Sequence, residues 1–195
     1  MKLLHIDSSA LGANSVSRTL SAAAVARLRS GSPSLAVVRY DLDADPLPHL
    51  TAGALARVDA EAAARADRVL EDFLAADVIV MGVPMYNFTV PSTLKAWIDR
   101  IAINGRTFQY TADGPVGLAT GKRVILAISQ GGIHEVGGPS EHQESYLLFM
   151  LNFLGITDIE IVRAQGIGYS PAHREQAIAG ALAMIDDPHR LSLAA

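Results

Sequence analysis

Val78-Ile79-Val80-Met81 is an unbroken apolar run that passes directly into the loop Gly82-Val-Pro-Met-Tyr-Asn-Phe88 and then into a helix opening at Pro91. A β-branched run bounded by a short loop and followed by a helix reads as a buried strand and as one half of a βαβ unit. No other segment limits the fold so strongly. In such sheets ligands sit outside the carboxyl ends of the strands, where this loop lies. Met85, Tyr86 and Phe88 in it are apolar or aromatic, with the amide of Asn87 among them. A surface loop has no solvation reason to carry three such side chains unless they pack on something. A flat, conjugated ligand satisfies both the rings and the exposed backbone N–H groups.

Strand and helix alternate along the rest of the chain. Residues 3–7 read as a first strand, followed by polar residues and an Ala/Leu-rich helix over about 17–29. Residues 35–40 form a second strand behind the turn Gly31-Ser-Pro33-Ser, and Pro46 and Pro48 keep 41–51 out of any helix interior. An alanine-rich helix follows over about 59–74, then the third strand, 78–83. Leu94, Trp97, Ile98 and Ile101 fall at helical spacing after Pro91, which makes Trp97 a core residue. Residues 123–129 are the fourth strand and 159–164 the fifth, with a helix near 141–154 between them and a last one over about 171–185. This pattern predicts an α/β fold, a doubly wound five-stranded parallel sheet of order 2-1-3-4-5 with helices on both faces. No repeat or linker divides the chain, so residues 1–195 read as a single domain.

Composition removes whole classes of function. Zero cysteines exclude disulfides, thiolate metal sites, iron–sulfur clusters and a cysteine nucleophile. Any redox chemistry must therefore be carried by a bound cofactor. With 50% hydrophobic and 18% charged residues, disorder is excluded for the bulk of the chain. A formal charge of −4 and the lack of any Lys/Arg cluster argue against a nucleic-acid partner. His5 and Asp7 interrupt the start, which lacks a signal-peptide core, and no apolar run approaches the roughly 18 residues that span a membrane. The expected location is the cytoplasm, with no membrane association. Six histidines show no H-x-x-x-H or H-E-x-x-H spacing, so no metal site is expected.

Two further strand tips carry ligand-friendly loops. Ser8-Ser9-Ala-Leu-Gly12-Ala-Asn14-Ser15-Val16-Ser17 is rich in hydroxyls and leads into a helix N-terminus, where free N–H groups and the dipole favour an anion. The plainer reading is that these serines cap the helix and fill a turn. Gly117 to Lys122 resembles a P-loop only loosely, being too short and followed by Arg123 where a Ser/Thr is needed, and no G-x-G-x-x-G opens the first helix. A monophosphate at Ser9, Ser15, Val16 and Ser17 therefore fits better than a triphosphate or a dinucleotide. After the fourth strand, Ser129-Gln130-Gly131-Gly132-Ile133-His134 offers adjacent glycines that admit a ligand close to the backbone, or that simply make a tight turn. In a 2-1-3-4-5 sheet these tips surround the switch point between strands one and three. One crevice then takes a phosphate at the serines and a planar ring between residues 85–88 and 129–132, which describes flavin mononucleotide (FMN).

Pro84-Met-Tyr-Asn-Phe88, the Ser8-Ser9 pair, S-x-S at Ser15 and Ser17, G-G-I-H from Gly131 to His134, and G-I-T-D from Gly155 to Asp158 carry a resemblance over nearly the whole chain. The chain resembles the FMN-dependent NADH:quinone and azo-compound oxidoreductases of the flavodoxin-like fold. Gln130 stands where family members often carry arginine, which leaves the nicotinamide preference open. The resemblance implies a homodimer with one FMN per subunit, sites near the interface and NADH as co-substrate. Catalysis then needs no catalytic side chain: hydride passes from NADH through flavin N5 to a quinone, or to an azo compound, in a ping-pong cycle. In that arrangement the N–H groups of Gly131 and Gly132 are expected to face the flavin N1/C2 carbonyl edge, and that of Asn87 to lie near N5 and O4. Phe88, Tyr110 and the partner's Phe153 occupy positions that line the acceptor pocket in the family. His134 either meets the ring or is a solvated loop residue. Against this stand a flavodoxin-type electron carrier, for which −4 is a mild charge, and a serine hydrolase, for which no G-x-S-x-G elbow exists.

Overall fold

The computed structural model describes residues 1–187 and 190–191. The elements run β1 (Lys2–Asp7), α1 (Val16–Gly31), β2 (Ala36–Asp41), α2 (Ala52–Leu55), α3 (Ala60–Ala75), β3 (Val78–Pro84) and α4 (Ser92–Ile101). They continue with β4 (Phe108–Thr111), β5 (Gly114–Gly117), β6 (Arg123–Ser129), α5 (Glu144–Phe153), β7 (Asp158–Ala164) and α6 (Pro171–Asp186). Five parallel strands pair in the order β2-β1-β3-β6-β7. Setting aside the antiparallel hairpin β4–β5, that is the expected 2-1-3-4-5 order. The hairpin and the one-turn helix α2 are additions that the sequence reading did not contain. Among the described residues no helix is long and apolar enough to cross a membrane.

Each long helix starts where a side chain can satisfy its free N–H groups. Ser15 caps α1 by accepting from the Arg18 N–H, Asp59 caps α3 through Glu61 and Ala62, and Ser170 caps α6 just before Pro171. Helix α5 begins at Glu144, three residues later than expected, because Glu141 acts as its cap from outside. The Glu141 carboxylate accepts the N–H groups of Gln143, Glu144 and Ser145 at 2.9, 2.6 and 3.1 Å. Burial pushes this carboxyl up, but the converging N–H donors outweigh it and hold Glu141 below its ordinary range.

Successive strand residues point to opposite sides of the sheet, and two apolar clusters result. Ile79, Met81 and Val83 of β3 join Val124, Leu126 and Ile128 of β6 against Phe73 of α3, Leu94 and Trp97 of α4, and Leu147 of α5. Val78, Val80, Ile125 and Ala127 pack instead with Leu20 and Leu28 of α1 and with Ala181 and Ile185 of α6. Trp97 meets Phe73 edge-on at 5.8 Å and is a core residue, as its spacing predicts. Gly82 lets α1 start hard against β3: a Cβ there would lie 2.8 Å from Asp7 Oδ1 and 3.0 Å from the Ser17 carbonyl. That contact fixes where the first turn of α1 stands relative to the tip of β3. Lys122 lies just before β6 begins, at the end of the strand away from the crevice. Its Nζ donates to the carbonyls of Leu74 and Ala76 at 2.7 Å each, closing the C-terminus of α3. The loose P-loop likeness therefore has a helix-capping role.

Candidate functional site

The carboxyl ends of β1, β3 and β6 are stitched together. Ser8 donates both its N–H and its hydroxyl to the Gly82 carbonyl, at 3.2 and 2.9 Å. The Met85 N–H donates to the Ser129 carbonyl at 2.8 Å. The loops after these three strands are thus neighbours at one edge of the sheet, and they carry every residue assigned above to the phosphate and the ring.

In the serine loop the capping reading holds, and it leaves backbone donors free. Ser15 caps α1, and its hydroxyl lies 3.1 Å from that of Ser17. Among the described residues the N–H groups of Val16 and Ser17 have no hydrogen-bond partner. A helix N-terminus with free donors is an anion site. The Val16 side chain belongs to the core, so only its N–H is available there. Ser9 is buried, and its hydroxyl lies 3.2 Å from the Tyr86 hydroxyl, which also accepts the Ala10 N–H at 3.1 Å. Tyr86 thereby ties the phosphate loop to the ring loop.

The ring loop is a tight two-residue turn. Tyr86 and Thr89 exchange both backbone hydrogen bonds, at 3.0 and 3.1 Å, and the two residues between them, Asn87 and Phe88, have φ of 48° and 71°. Both central residues left-handed is the mirror-image hairpin turn, for which asparagine is well suited and a bulky phenylalanine is not. Such a conformation persists only where the surroundings enforce it, and such residues gather at functional sites. Here the Phe88 carbonyl accepts the His142 N–H at 3.1 Å and the Thr89 hydroxyl donates to the His142 carbonyl at 3.2 Å. The Phe88 ring stays 54% exposed and meets the edge of His134 at 5.9 Å. His134 is in turn held through Nδ1, 2.9 Å from the Ser140 hydroxyl. Among the described residues the Asn87 N–H has no hydrogen-bond partner.

The glycine loop turns its carbonyls away from the crevice. Those of Gln130, Gly131 and Gly132 accept from Ile167, Gly168 and Gly166 at 3.2, 2.9 and 2.8 Å. Among the described residues the Gly131 and Gly132 N–H groups have no partner. A Cβ on Gly131 would meet nothing within 4 Å, whereas one on Gly132 would lie 3.1 Å from His134 Nε2. Gln130, at 1% exposure, points inward. Its amide takes part in a buried ladder, from Gln165 to Gln130 at 2.7 Å, on to Gln143 at 3.0 Å, and then to the Val83 carbonyl at 3.0 Å. Gln130 thus braces the loop from behind, and its backbone is engaged as well, the N–H donating to the Ala164 carbonyl at 3.0 Å.

Of the residues assigned to the acceptor pocket, Phe88 and His134 stand together. Tyr110 and Phe153 stand elsewhere, both against Phe108, at 5.5 and 4.6 Å between ring centres. Tyr110 is 71% exposed on the β4–β5 hairpin, so it is no ordinary packed aromatic. Sequence reasoning missed the side chains that hold the loops from behind: Arg18, Asp41, Gln143, Gln165 and the Tyr86 hydroxyl.

In flavodoxin-like sheets ligands bind outside the carboxyl ends of the strands, beside the switch point, which here lies between β1 and β3, where these loops stand. The chain belongs to the family of flavodoxin-like fold whose model matches residues 1–187. It is 59% identical over 185 residues to the FMN-dependent NADH:quinone oxidoreductase of Stenotrophomonas maltophilia (strain K279a), covering 95% of this chain and 94% of that one. It is 58% identical over 195 residues to FMN-dependent NADH:quinone oxidoreductase 1 of Xanthomonas euvesicatoria pv. vesicatoria (strain 85-10), covering 100% of each. Among solved structures it is similar to an FMN-dependent NADH-azoreductase from Bacillus anthracis in complex with FMN. That match has a TM-score of 0.87 and 28% identity, over 95% of this chain and 96% of the other.

Proposed function

We propose that this chain is an FMN-dependent oxidoreductase that passes two electrons from NADH to quinones and, at the same site, to aromatic azo compounds. One observation carries the reading: the N–H groups of Val16, Ser17, Asn87, Gly131 and Gly132, unpartnered among the described residues, all lie at the adjoining tips of β1, β3 and β6. The open space beside Gly131, which any side chain would fill, is where a flat ring has room. These residues fit FMN. Val16 and Ser17 N–H groups with the hydroxyls of Ser9, Ser15 and Ser17 would hold the phosphate, and residues 85–88 and 129–132 would hold the ring system. When bound, FMN supplies the two-electron redox chemistry that a cysteine-free chain lacks. The chain's own part is orientation and electrostatics. The N–H groups of Gly131, Gly132 and Asn87 would donate to a bound flavin ring and stabilise the negative charge that reduction places on it.

The same reading makes residues 1–195 a single, doubly wound, cytoplasmic domain that works as a homodimer. Tyr110 and Phe153 share the Phe108 cluster, so a partner that brings Phe153 to the acceptor pocket brings its Tyr110 as well. Phe88 and His134 are then the pocket walls of the flavin's own subunit. Strong similarity to quinone oxidoreductases along the full length of the chain supports the quinone. Structural similarity to azoreductases supports the azo compound. Steady-state NADH oxidation with benzoquinone and with an aromatic azo dye tests the proposal. One slot used in turn by donor and acceptor predicts parallel double-reciprocal lines for both acceptors. Flavin reduction by NADH too slow to support turnover with either would mark an electron carrier instead.

A further inference from the structure

We propose that Arg18 and Asp41 form a clamp that positions the phosphate loop, and so set the preference for FMN over riboflavin, without either touching the phosphate. The inference rests on the reading that the FMN phosphate sits at the first turn of α1. Arg18 follows Ser17 directly, yet its side chain, 14% exposed, turns toward the end of β2. Nε and Nη2 donate to the Ser9 carbonyl at 3.1 and 2.8 Å. Nη1 and Nη2 donate to the two Asp41 oxygens at 2.6 Å each. Nη1 also lies 3.9 Å from Asp7 Oδ2. The guanidinium fork is thus filled by one carbonyl and one bidentate carboxylate, with a second carboxylate beside it. Its charge is balanced inside the protein, so it is poorly placed to act as counter-ion to a phosphate.

What the fork holds is one specific peptide unit. The Ser9 carbonyl is fixed by Arg18, and the N–H on the other side of that peptide, Ala10, is fixed by the Tyr86 hydroxyl at 3.1 Å. A planar unit held at both ends fixes the orientation of the backbone that carries the Ser9 hydroxyl. Asp41 is held in turn. It is the last residue of β2, paired in register with Asp7 at the end of β1, and it accepts the N–H groups of Asp43 and Ala44 at 3.3 Å each. Hydrogen bonding to Arg18 keeps the Asp41 carboxyl far below its ordinary range, so the clamp stays charged across the working pH range. The tip of β2 is therefore linked to the phosphate loop through Arg18.

The test titrates the full-length chain with FMN and with riboflavin, following flavin fluorescence, for the wild type and for Arg18→Met, Arg18→Lys and Asp41→Asn. Riboflavin lacks the phosphate and senses only the ring half of the site. The clamp predicts that the FMN/riboflavin affinity ratio falls about tenfold in Arg18→Met and Asp41→Asn, the scale of one lost charge-assisted hydrogen bond. Riboflavin affinity is expected to hold. Arg18→Lys is expected to lower the ratio too, because an ammonium cannot reproduce the fork. A purely structural role would lower both affinities in parallel, and an unchanged ratio in folded Asp41→Asn overturns the clamp. A rise in FMN affinity in Asp41→Asn also overturns it, since freeing Arg18 would then have supplied a counter-ion. Should Arg18→Met fail to fold, Asp41→Asn and Arg18→Lys decide. A wild type that binds riboflavin as tightly as FMN removes the phosphate reading itself, and the clamp with it.

Discussion

Gly131→Val is expected to yield a folded chain that holds almost no flavin. In the free protein a Cβ at this position meets nothing within 4 Å, and the backbone is not left-handed there, so a side chain is accommodated without strain. The Gly131 carbonyl keeps its bond to the Gly168 N–H, and β6 before it is untouched. The valine methyl groups instead occupy the space proposed for the ring. Overpacking of a fitted site costs about 1–3 kcal/mol, and N–H bonds that no longer form cost about 1 kcal/mol each, so FMN affinity should fall by roughly a hundredfold or more. The melting temperature of the flavin-free chain should change little. Flavin content and thermal melts of the purified variant measure both. Gly132→Val is the poorer probe, because its Cβ would press on His134 Nε2 at 3.1 Å and move the ring beside Phe88. Full flavin occupancy in Gly131→Val would put the ring elsewhere.

Ser17→Asp should separate FMN from riboflavin more sharply than any other single change. Ser17 is buried beside Ser15 in the first turn of α1. The helix dipole favours a carboxylate in a first turn by about 0.3–1 kcal/mol where it is exposed, but Ser17 is buried, so desolvation opposes that gain and the free chain is expected to lose some stability. A phosphate dianion adds direct repulsion. At an effective dielectric near 20, two unit charges about 4 Å apart repel by about 4 kcal/mol, so FMN binding should weaken at least a hundredfold. Riboflavin binding should be nearly unaffected, and Ser17→Ala should cost FMN only about 1 kcal/mol, one neutral hydrogen bond. Equal FMN affinity in Ser17→Asp and wild type would move the phosphate away from α1.

The sheet was legible because buried strands write themselves as runs such as Val78 to Met81, and because Asp59, Pro91 and Pro171 mark helix starts. The β4–β5 hairpin was not legible. Its strands are four residues each, largely exposed, and include Gly114, Pro115 and Gly117. What holds the hairpin comes from far along the chain: Ala119 donates to the Leu154 carbonyl at 2.9 Å, and a Cβ on Gly117 would lie 2.1 Å from the Gly155 nitrogen. Gly155, part of the G-I-T-D run, owes its place to that crossing and to its φ of 94°. For the candidate site, the sequence pointed to three loops at the strand tips but not to which of their atoms are already paired within the protein. Val16 offers only its N–H because its side chain is core. Gln130 turns inward because Gln143 and Gln165, 13 and 35 residues away, complete its hydrogen bonds. The Arg18–Asp41 pair spans 23 residues and exists only because β2 pairs in register beside β1. Local pattern reports local structure, and these contacts are set by strand pairing.

An anaerobic titration of the purified protein tests the central claim most directly. The account predicts a yellow protein with about one FMN per chain, bleached by about one equivalent of NADH and recoloured by about one equivalent of benzoquinone, as two-electron exchange requires. A colourless protein that takes up no FMN, or a bound flavin that NADH does not bleach while a one-electron donor does, would contradict it.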